Sequence, residues 1–176
     1  MAMKLPFFHP LQGVRVRSLK VSIQSEDFNI EEECLALRKG HKDIGALATF
    51  TGLVRELDSE IGDAKVSALF LEHYPGMTEK SLEEIAASAD QRWPLLDVLI
   101  IHRIGELKAA DQIVFVAVSS QHREAAFAAC NYIMDFLKTS APFWKKSRTA
   151  DGEHWVEAKQ SDVKATEKWA EDQQKR

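Results

Sequence analysis

Hydrophobic and polar positions recur along this chain with two different periods, which predict a mixture of strands and helices. Alternation of period two, together with short β-branched runs, predicts strands at residues 19–23, 46–51, 66–73, 98–102, 113–118 and 155–158. Apolar residues spaced by three and four predict helices at residues 29–39, 77–93 and 123–138, followed by a polar helix from residue 162. Strands and helices do not alternate strictly, so the pattern favours an α+β fold in a single domain.

A few residues predict where these elements end and which faces they bury. Gly40 and Pro94 are expected to end the first two helices, and Pro142 is expected to end the third by about residue 140. Residues 105–111 are expected to connect two neighbouring strands as a hairpin. The third helix is apolar almost all round and is expected to be largely buried. The second helix carries one apolar face, formed by Met77, Leu82, Ile85, Ala86, Ala89 and Trp93.

Composition narrows the class of protein. The chain has 176 residues, 45% hydrophobic and 28% charged, which excludes a disordered or collagen-like chain. Its net charge of −4 argues against a generally basic nucleic-acid binder, and its two cysteines argue against a disulfide scaffold or a structural zinc site. Apolar runs fall short of the ~20 residues that span a bilayer, and no secretory signal is visible, so we expect a cytoplasmic protein. Residues 18–160 are expected to form the domain. Residues 1–17 are expected to be an N-terminal extension with no clear pattern of helix or strand, and residues 161–176 a polar helix or tail.

The segment from Lys138 to Arg148 is the first candidate for chemistry. It carries four cations in eleven residues without an acid, and its simplest interpretation is a solvated basic loop. However, Lys138 continues an apolar helix, so its stem is expected to be packed and its ammonium partly desolvated, while Phe143 and Trp144 shield the loop. Desolvation and neighbouring cations favour a neutral amine, which lets a lysine act as an acid or base near neutral pH. The same cluster would attract a phosphate or a carboxylate.

Two further candidates lie elsewhere in the chain. Residues 119–123 lead from a strand into the third helix, where backbone N–H groups, His122 and Arg123 would favour an anion. An equally good interpretation is that Ser119 or Ser120 caps the helix while His122 and Arg123 are solvated. Arg55 follows a strand and is the third candidate, although an arginine in this position is more often a surface residue.

The remaining histidines and the cysteines indicate no catalytic site. His73 and His102 lie in predicted strands, where structural histidines are common, and the other histidines have no metal-like spacing, so no metal site is expected. Cys34 and Cys130 have no base nearby in sequence, which makes a thiol nucleophile an unfavoured interpretation.

The length of the third helix separates two of the candidates. His122 and Lys138 are 16 residues apart, about 24 Å along a continuous helix at ~1.5 Å per residue. They therefore cannot easily bind the same small ligand within one subunit. Either the chain has two sites, or a second copy completes one site across a symmetric dimer interface, which is the hypothesis that we favour.

Over residues 45–160 the chain resembles the large, catalytic subunits of molybdopterin synthases. The motifs that carry the resemblance are Thr49-Phe50-Thr51-Gly52-x-Val54-Arg55, Leu71-Glu72-His73-Tyr74-Pro75-Gly76-Met77, Ile101-His102-Arg103-Ile104-Gly105, His122-Arg123 and Leu137-Lys138-Thr139-x-Ala141-Pro142-Phe143-Trp144-Lys145. The resemblance implies an α+β fold of the α/β-hammerhead type and a homodimer at the centre of a heterotetramer. Each copy would hold a small ubiquitin-like sulfur-carrier subunit whose C-terminal Gly-Gly tail ends in a thiocarboxylate. The implied enzyme is a sulfurtransferase that converts cyclic pyranopterin monophosphate into the dithiolene of molybdopterin, without a metal or an organic cofactor.

The resemblance also assigns roles to residues of this sequence. Lys138 matches an essential lysine and Lys145 a second pocket lysine, so both are expected to be catalytic. The residues expected to bind substrate are Arg55, His122, Arg123, Leu53, Val54, Lys146 and Ser147. Some of these depart from the family pattern, because Leu53 stands where some relatives have a lysine and Lys146-Ser147 stands where Arg-Glu is common. Lys159 stands where an arginine may occur, which keeps the charge but loses the planar fork.

Two other functions compete with this interpretation. The chain could be a non-catalytic module that docks the carrier or stores a pterin phosphate, or an anion-binding regulatory domain. Lys138 and Lys145 argue against the docking module, because docking does not require a desolvated pair of lysines. The shield formed by Phe143 and Trp144, together with the specific motif matches, makes the regulatory domain the least favoured function.

Overall fold

The computed structural model describes residues 18–39, 41–58, 64–65, 68–149, 152–156 and 166–169. Within these ranges strands and helices are mixed, and the predicted α+β class is confirmed. The elements are, in chain order, β1 (Ser18–Gln24), α1 (Ile30–Arg38), β2 (Ala46–Leu53), β3 (Leu57–Asp58), β4 (Ala64–Lys65), β5 (Ala68–His73), α2 (Met77–Arg92), β6 (Leu95–Arg103), β7 (Gly105–Lys108), β8 (Gln112–Ser120), α3 (Arg123–Ser140), β9 (Phe143–Thr149) and β10 (Gly152–Val156).

The first sheet has the strand order β1-β6-β8-β2, and helices cover both of its faces. Strand β1 runs parallel to β6, while β6 and β2 both pair antiparallel with β8. Val98 and Ile100 of β6 pack with α2 and α3, whereas Leu99 and Ile101 pack on the opposite face near α1 and Phe28. Burial on both faces explains why β6 and β8 are nearly continuous apolar runs in the sequence.

The second sheet is antiparallel in the order β10-β9-β5-β7, and it contains two strands that the sequence pattern did not predict. The expectation that residues 105–111 only connect β6 and β8 is wrong, because β7 pairs with β5 and buries Leu107 completely. The expectation of a basic loop after α3 is also wrong, because β9 lies between β5 and β10. Its period-two pattern is hidden by the polar side chains of Ser147 and Thr149, which occupy buried positions.

The predicted ends of the helices are largely confirmed. The Asn29 side-chain oxygen accepts hydrogen bonds from Glu31 N–H at 3.0 Å and Glu32 N–H at 3.3 Å, as a helix N-cap does. Helix α2 ends before Pro94, and α3 ends at Ser140 as predicted. Gly40, residues 1–17, 66–67 and 157–158 lie outside the described residues, and only residues 166–169 of the predicted C-terminal helix are described, as helix.

The buried face of α2 differs from the prediction at its first turn. Leu82, Ile85 and Ala89 are buried as predicted, but Met77 is 47% exposed. Thr78 takes the core position instead and is completely buried. The spacing of four between Thr78 and Leu82 continues the helical stripe, so a polar residue occupies the end of an otherwise apolar face.

Tyr132 of α3 connects the helices with the C-terminal segment. Its ring lies 5.4 Å from the rings of both Trp93 and Trp169, and its hydroxyl lies 2.7 Å from Ser88 Oγ on α2. Such edge-to-face aromatic contacts contribute about 0.5–1.5 kcal/mol each beyond the area that they bury. Trp169, which lies in the predicted polar tail, is therefore part of the core.

His102 at the end of β6 joins the two sheets. Its ring stacks on Phe143 of β9 with centroids 3.8 Å apart, and its Nδ1 lies 2.8 Å from the Arg103 carbonyl oxygen. Because a carbonyl only accepts, Nδ1 carries the hydrogen. Burial lowers the pKa of His102 to about 4, so the ring is neutral at physiological pH.

This burial predicts how the stability of the protein depends on pH. The unfolded chain binds a proton at His102 near pH 6.5, whereas the folded chain does so only near pH 4. The contribution of neutral His102 to the free energy of unfolding is therefore fully present above pH 6.5. It declines as the pH falls towards 4, by about 3 kcal/mol at most. We expect His102→Gln to lose less stability than the wild type between pH 7.5 and pH 4.5, measured by urea unfolding. His122→Gln, which changes an exposed histidine, is the control, and equal losses in the wild type and His102→Gln would contradict the prediction.

Candidate functional site

A groove of about 260 Å³ lies between β2 and α3. Apolar side chains form most of its wall, and a few polar groups interrupt them, which is the usual composition of a site for a small ligand or an extended peptide. Lys138 lies at the end that leads towards the second sheet. The lining residues are Ala48, Thr49, Phe50, Phe127, Cys130, Asn131, Met134, Asp135 and Lys138.

The groove exists because α3 buries only part of its circumference. Phe127, Asn131 and Lys138 form an exposed stripe with spacings of four and seven residues, and Phe127 is 66% exposed. The helix that was expected to be largely buried is therefore exposed on this side. The expected desolvation of Lys138 is also absent within the single chain, because the residue lies on the exposed stripe and not on the side that packs against the sheet.

Asp135 is the acid of the groove, and the C-terminal segment binds it. Trp169 Nε1 donates to Asp135 Oδ2 at 2.8 Å, and Lys168 Nζ forms an ion pair with the same oxygen at 2.8 Å. The Lys168 ammonium and the Trp169 N–H group therefore offset the negative charge of the Asp135 carboxylate beside Lys138.

Cys130 is the thiol of the groove, and it is a poor nucleophile. Burial raises the pKa of Cys130 to about 11, so the thiol is protonated near neutral pH. Desolvation also raises the pKa of Cys34 on α1. Both shifts agree with the expectation that neither thiol acts as a nucleophile.

The lysines of β9 point to opposite sides of the second sheet, because successive side chains of a strand alternate. Lys145 lies on the side of Phe143, which packs against His102. Lys146 lies on the other side, where its Nζ is 4.6 Å from the centre of the Trp155 ring. Only Lys145 therefore shares the side of the sheet that faces the body of the domain.

Two further candidates, His122 and Arg123, lie at the opposite end of α3 from Lys138. His122 is the N-cap of the helix and Arg123 its first residue, and both side chains are exposed. Neither Ser119 nor Ser120 is the cap, because His122 occupies that position. Ser119 donates to Asp97 Oδ2 at 3.0 Å, while Ser120 donates to the Pro94 carbonyl at 2.9 Å and accepts from His122 N–H at 3.4 Å. Helix α3 is continuous, so the predicted separation of about 24 Å between His122 and Lys138 holds within the chain.

At the end of β2, some candidate residues lie on the surface and others in the interior. A side chain at Gly52 would come within 2.7 Å of a Val114 methyl carbon, and the pairing of β2 with β8 shifts at this point. After the shift, Leu53 and Arg55 are exposed, while Val54 is buried. Ser147 on β9 is also completely buried, so the side chains of Val54 and Ser147 offer no surface to a ligand in the single chain.

Of the predicted site residues, the lining of the groove contains Lys138 alone, and it adds residues that were not predicted. Lys138 joins Phe50, Met134 and Asp135 in one groove, whereas His122 and Arg123 stay apart from it. Sequence reasoning missed Met134 and Asp135 as groove residues. Met134 and Asp135 precede Lys138 by four and three residues, which places all three on one side of a helix. This spacing is the signal by which the sequence could have identified them.

Among the described residues, no three His, Cys, Asp or Glu side chains are arranged to hold a metal ion. In the same ranges, no helix has the length and apolar character needed to cross a membrane.

Comparisons with known proteins agree with this architecture. A family model described as MoaE protein matches residues 23–140. A molybdopterin synthase catalytic subunit from Vibrio cholerae is 53% identical over 150 residues, which are 85% of this chain and 97% of that protein. A solved molybdopterin biosynthesis MoaE protein from Burkholderia ambifaria has a TM-score of 0.74 and 52% identity, and the match covers 86% of this chain and 98% of that one.

A more distant solved structure shares the fold. It is a complex of subunits 1 and 2 of molybdopterin-converting factor from Helicobacter pylori, with a TM-score of 0.61 at 19% identity over 81% of this chain and 90% of that one. Together with the family match over residues 23–140, these findings show that the chain belongs to the MoaE protein family.

Proposed function

We propose that this chain is the catalytic subunit of a molybdopterin synthase. In this function it is a sulfurtransferase that moves sulfur from the C-terminal thiocarboxylate of a small ubiquitin-like carrier to cyclic pyranopterin monophosphate. The observation that carries the proposal is the groove with Lys138 at its end, followed directly in the chain by β9 with Lys145. The names of close relatives, such as the Vibrio cholerae subunit, support the same reaction.

The groove suits the tail of the proposed carrier. A Gly-Gly terminus has no side chains beyond Cα, so it can extend between close walls such as those formed by Phe50 and Met134. The Lys138 ammonium at the end of the groove would then meet the terminal anion. The Helicobacter pylori complex of two subunits shares the fold and fits a partnership of this kind.

The two lysines would have complementary roles in the transfer. In each transfer the thiocarboxylate sulfur takes the place of one oxygen on the pterin side chain, and one oxygen takes the place of that sulfur on the carrier, which is left as a carboxylate. Two such exchanges form the dithiolene. Lys138 would neutralise the thiocarboxylate and move protons as sulfur replaces oxygen, and Lys145 would stabilise negative charge from the adjoining strand. We propose that this chemistry needs neither a metal nor an organic cofactor, because the carrier brings the sulfur and the lysines move the protons.

The phosphate of the substrate would be bound across a homodimer. His122 and Arg123 are too far from Lys138 to share its ligand within one chain, so the second copy would supply them. Arg55 and Leu53 reach the surface at the end of β2 and would contribute from the same chain as Lys138. The exposed Phe127 ring on α3 offers an apolar surface to a neighbouring molecule in this assembly.

We also propose a cytoplasmic location and a heterotetramer of two catalytic and two carrier subunits. The free thiols of Cys34 and Cys130 are compatible with a reducing compartment.

Lys138 is the subject of the first of two predictions that follow from the proposed function. We expect Lys138→Ala to lower the rate of dithiolene formation by at least about 100-fold, the usual contribution of a general acid or base. The assay follows product formed from cyclic pyranopterin monophosphate and a thiocarboxylated carrier. Lys80→Ala, which changes an exposed lysine of α2, should retain full activity. Full activity in Lys138→Ala with an intact dimer would overturn the proposed role.

The second prediction tests the composite site. Lys138→Ala and Arg123→Ala chains, each inactive alone, are co-expressed with different tags and the mixed dimers are purified. Each mixed dimer contains one site with both residues intact if the site is shared between copies, so we expect about half of the wild-type activity. No recovery above the parent variants would show that each chain builds its site from its own residues.

A further inference from the structure

The chain between the two proposed catalytic lysines is held by a residue from a distant part of the fold. Helix α3 ends at Ser140, β9 begins at Phe143, and Pro142 lies in the connection. Thr78 in the first turn of α2 is completely buried, and its hydroxyl donates to the Pro142 carbonyl oxygen at 3.2 Å. This hydrogen bond joins segments that are 64 residues apart in sequence.

The hydrogen bonding around Thr78 directs its single hydroxyl proton to Pro142. The hydroxyl oxygen accepts from Tyr74 N–H at 3.0 Å, and its proton lies between the carbonyl oxygens of Tyr74, at 3.1 Å, and Pro142, at 3.2 Å. The Tyr74 carbonyl already accepts from the backbone N–H groups of Met77 at 3.1 Å and Thr78 at 2.9 Å. Because a carbonyl oxygen has two lone pairs, the hydroxyl proton finds its better acceptor at Pro142.

The neighbouring contacts make the start of β9 one unit with the turn before α2. Phe143 pairs with His73 of β5, and its ring stacks on His102 at 3.8 Å. His73 Nε2 lies 3.5 Å from Glu79 Oε1, and Glu79 Oε2 accepts from Gly76 N–H at 2.6 Å. Thr78 therefore projects from a turn that these contacts hold in place, and its hydrogen bond ties the Pro142 carbonyl to that turn.

We propose that Thr78 is a positioning residue of the sulfur-transfer site, because its buried hydroxyl holds the Pro142 carbonyl and so sets where Lys138 and Lys145 stand relative to each other. The inference rests on the proposed function, in which both lysines serve one reaction. Thr78 is buried and acts only through the backbone that connects the lysines. A displacement of about 1 Å between groups that must act together can lower a rate by as much as 100-fold.

The test compares three variants of α2 in the complete synthase with its carrier. Thr78→Val keeps the shape and removes the hydroxyl, whereas Thr78→Ser keeps the hydroxyl. Ser81→Ala is the matched control, because the Ser81 hydroxyl makes a local bond to the Met77 carbonyl at 3.0 Å. We expect Thr78→Val to lower kcat about 10-fold or more with KM for cyclic pyranopterin monophosphate changed less than about 2-fold. Thr78→Ser and Ser81→Ala should retain the wild-type kcat.

A readout that does not depend on turnover separates this inference from the proposed function. Reductive ¹³C-methylation labels the lysines, and Lys→Arg variants assign their NMR signals. We expect Thr78→Val to shift the signals of Lys138 and Lys145 and to leave that of Lys80 in place, while Thr78→Ser shifts none of them. Thr78→Cys, whose thiol is a weak donor, replaces Thr78→Val if the latter does not fold.

The outcomes are distinct. Unshifted lysine signals in Thr78→Val, or a lower melting temperature with an unchanged kcat, would overturn the positioning role. An inactive wild-type synthase, or full activity in Lys138→Ala, would overturn the proposed function, and the NMR comparison would still decide whether Thr78 sets the positions of the lysines.

Discussion

Strands β6 and β8 pair in the middle of the first sheet, and both of their faces are buried. Such a pair must be covered from two sides, because burying its apolar side chains contributes roughly 25 cal/mol for every Å² removed from water. Helix α1 covers one side, and α2 and α3 share the other. The position of α3 across β8 and β2 follows from this requirement, and so does the groove along its outer edge.

The same helix carries residues of the proposed site at its two ends. Tyr132 and Ile133 fix one side of α3 in the core, so Phe127 and Lys138 are left on the other side beside β2. A straight helix also keeps His122 away from Lys138, because each residue adds about 1.5 Å. The packing that stabilises the domain therefore determines both where the groove lies and how far His122 and Arg123 stand from it within one chain.

The hydrophobic pattern of the sequence predicts the elements whose buried side chains are apolar. It does not predict the elements in which polar side chains occupy buried positions. Strands β6 and β8 and helix α3 are rich in apolar residues, and their type and approximate bounds are correct. Strand β9 was missed because Ser147 occupies a buried position, and Met77 was assigned to the core position that Thr78 fills. The candidate lysines could be identified from the sequence. The opposite orientations of Lys145 and Lys146, however, depend on the pairing of β9 with β5 and β10, which a local pattern does not reveal.

The electrostatic balance of the groove depends on contacts that are equally distant in sequence. Asp135 lies beside Lys138, and an unbalanced carboxylate there would repel the anionic tail that the proposed function brings into the groove. Lys168 and Trp169 both approach Asp135 Oδ2 at 2.8 Å, which offsets the negative charge from the side of the C-terminal segment. Trp169 is anchored by its contacts with Tyr132 and Trp93, so this balance is tied to the aromatic core. The C-terminal segment thus contributes to the charge of the groove through the same packing that secures it to the domain.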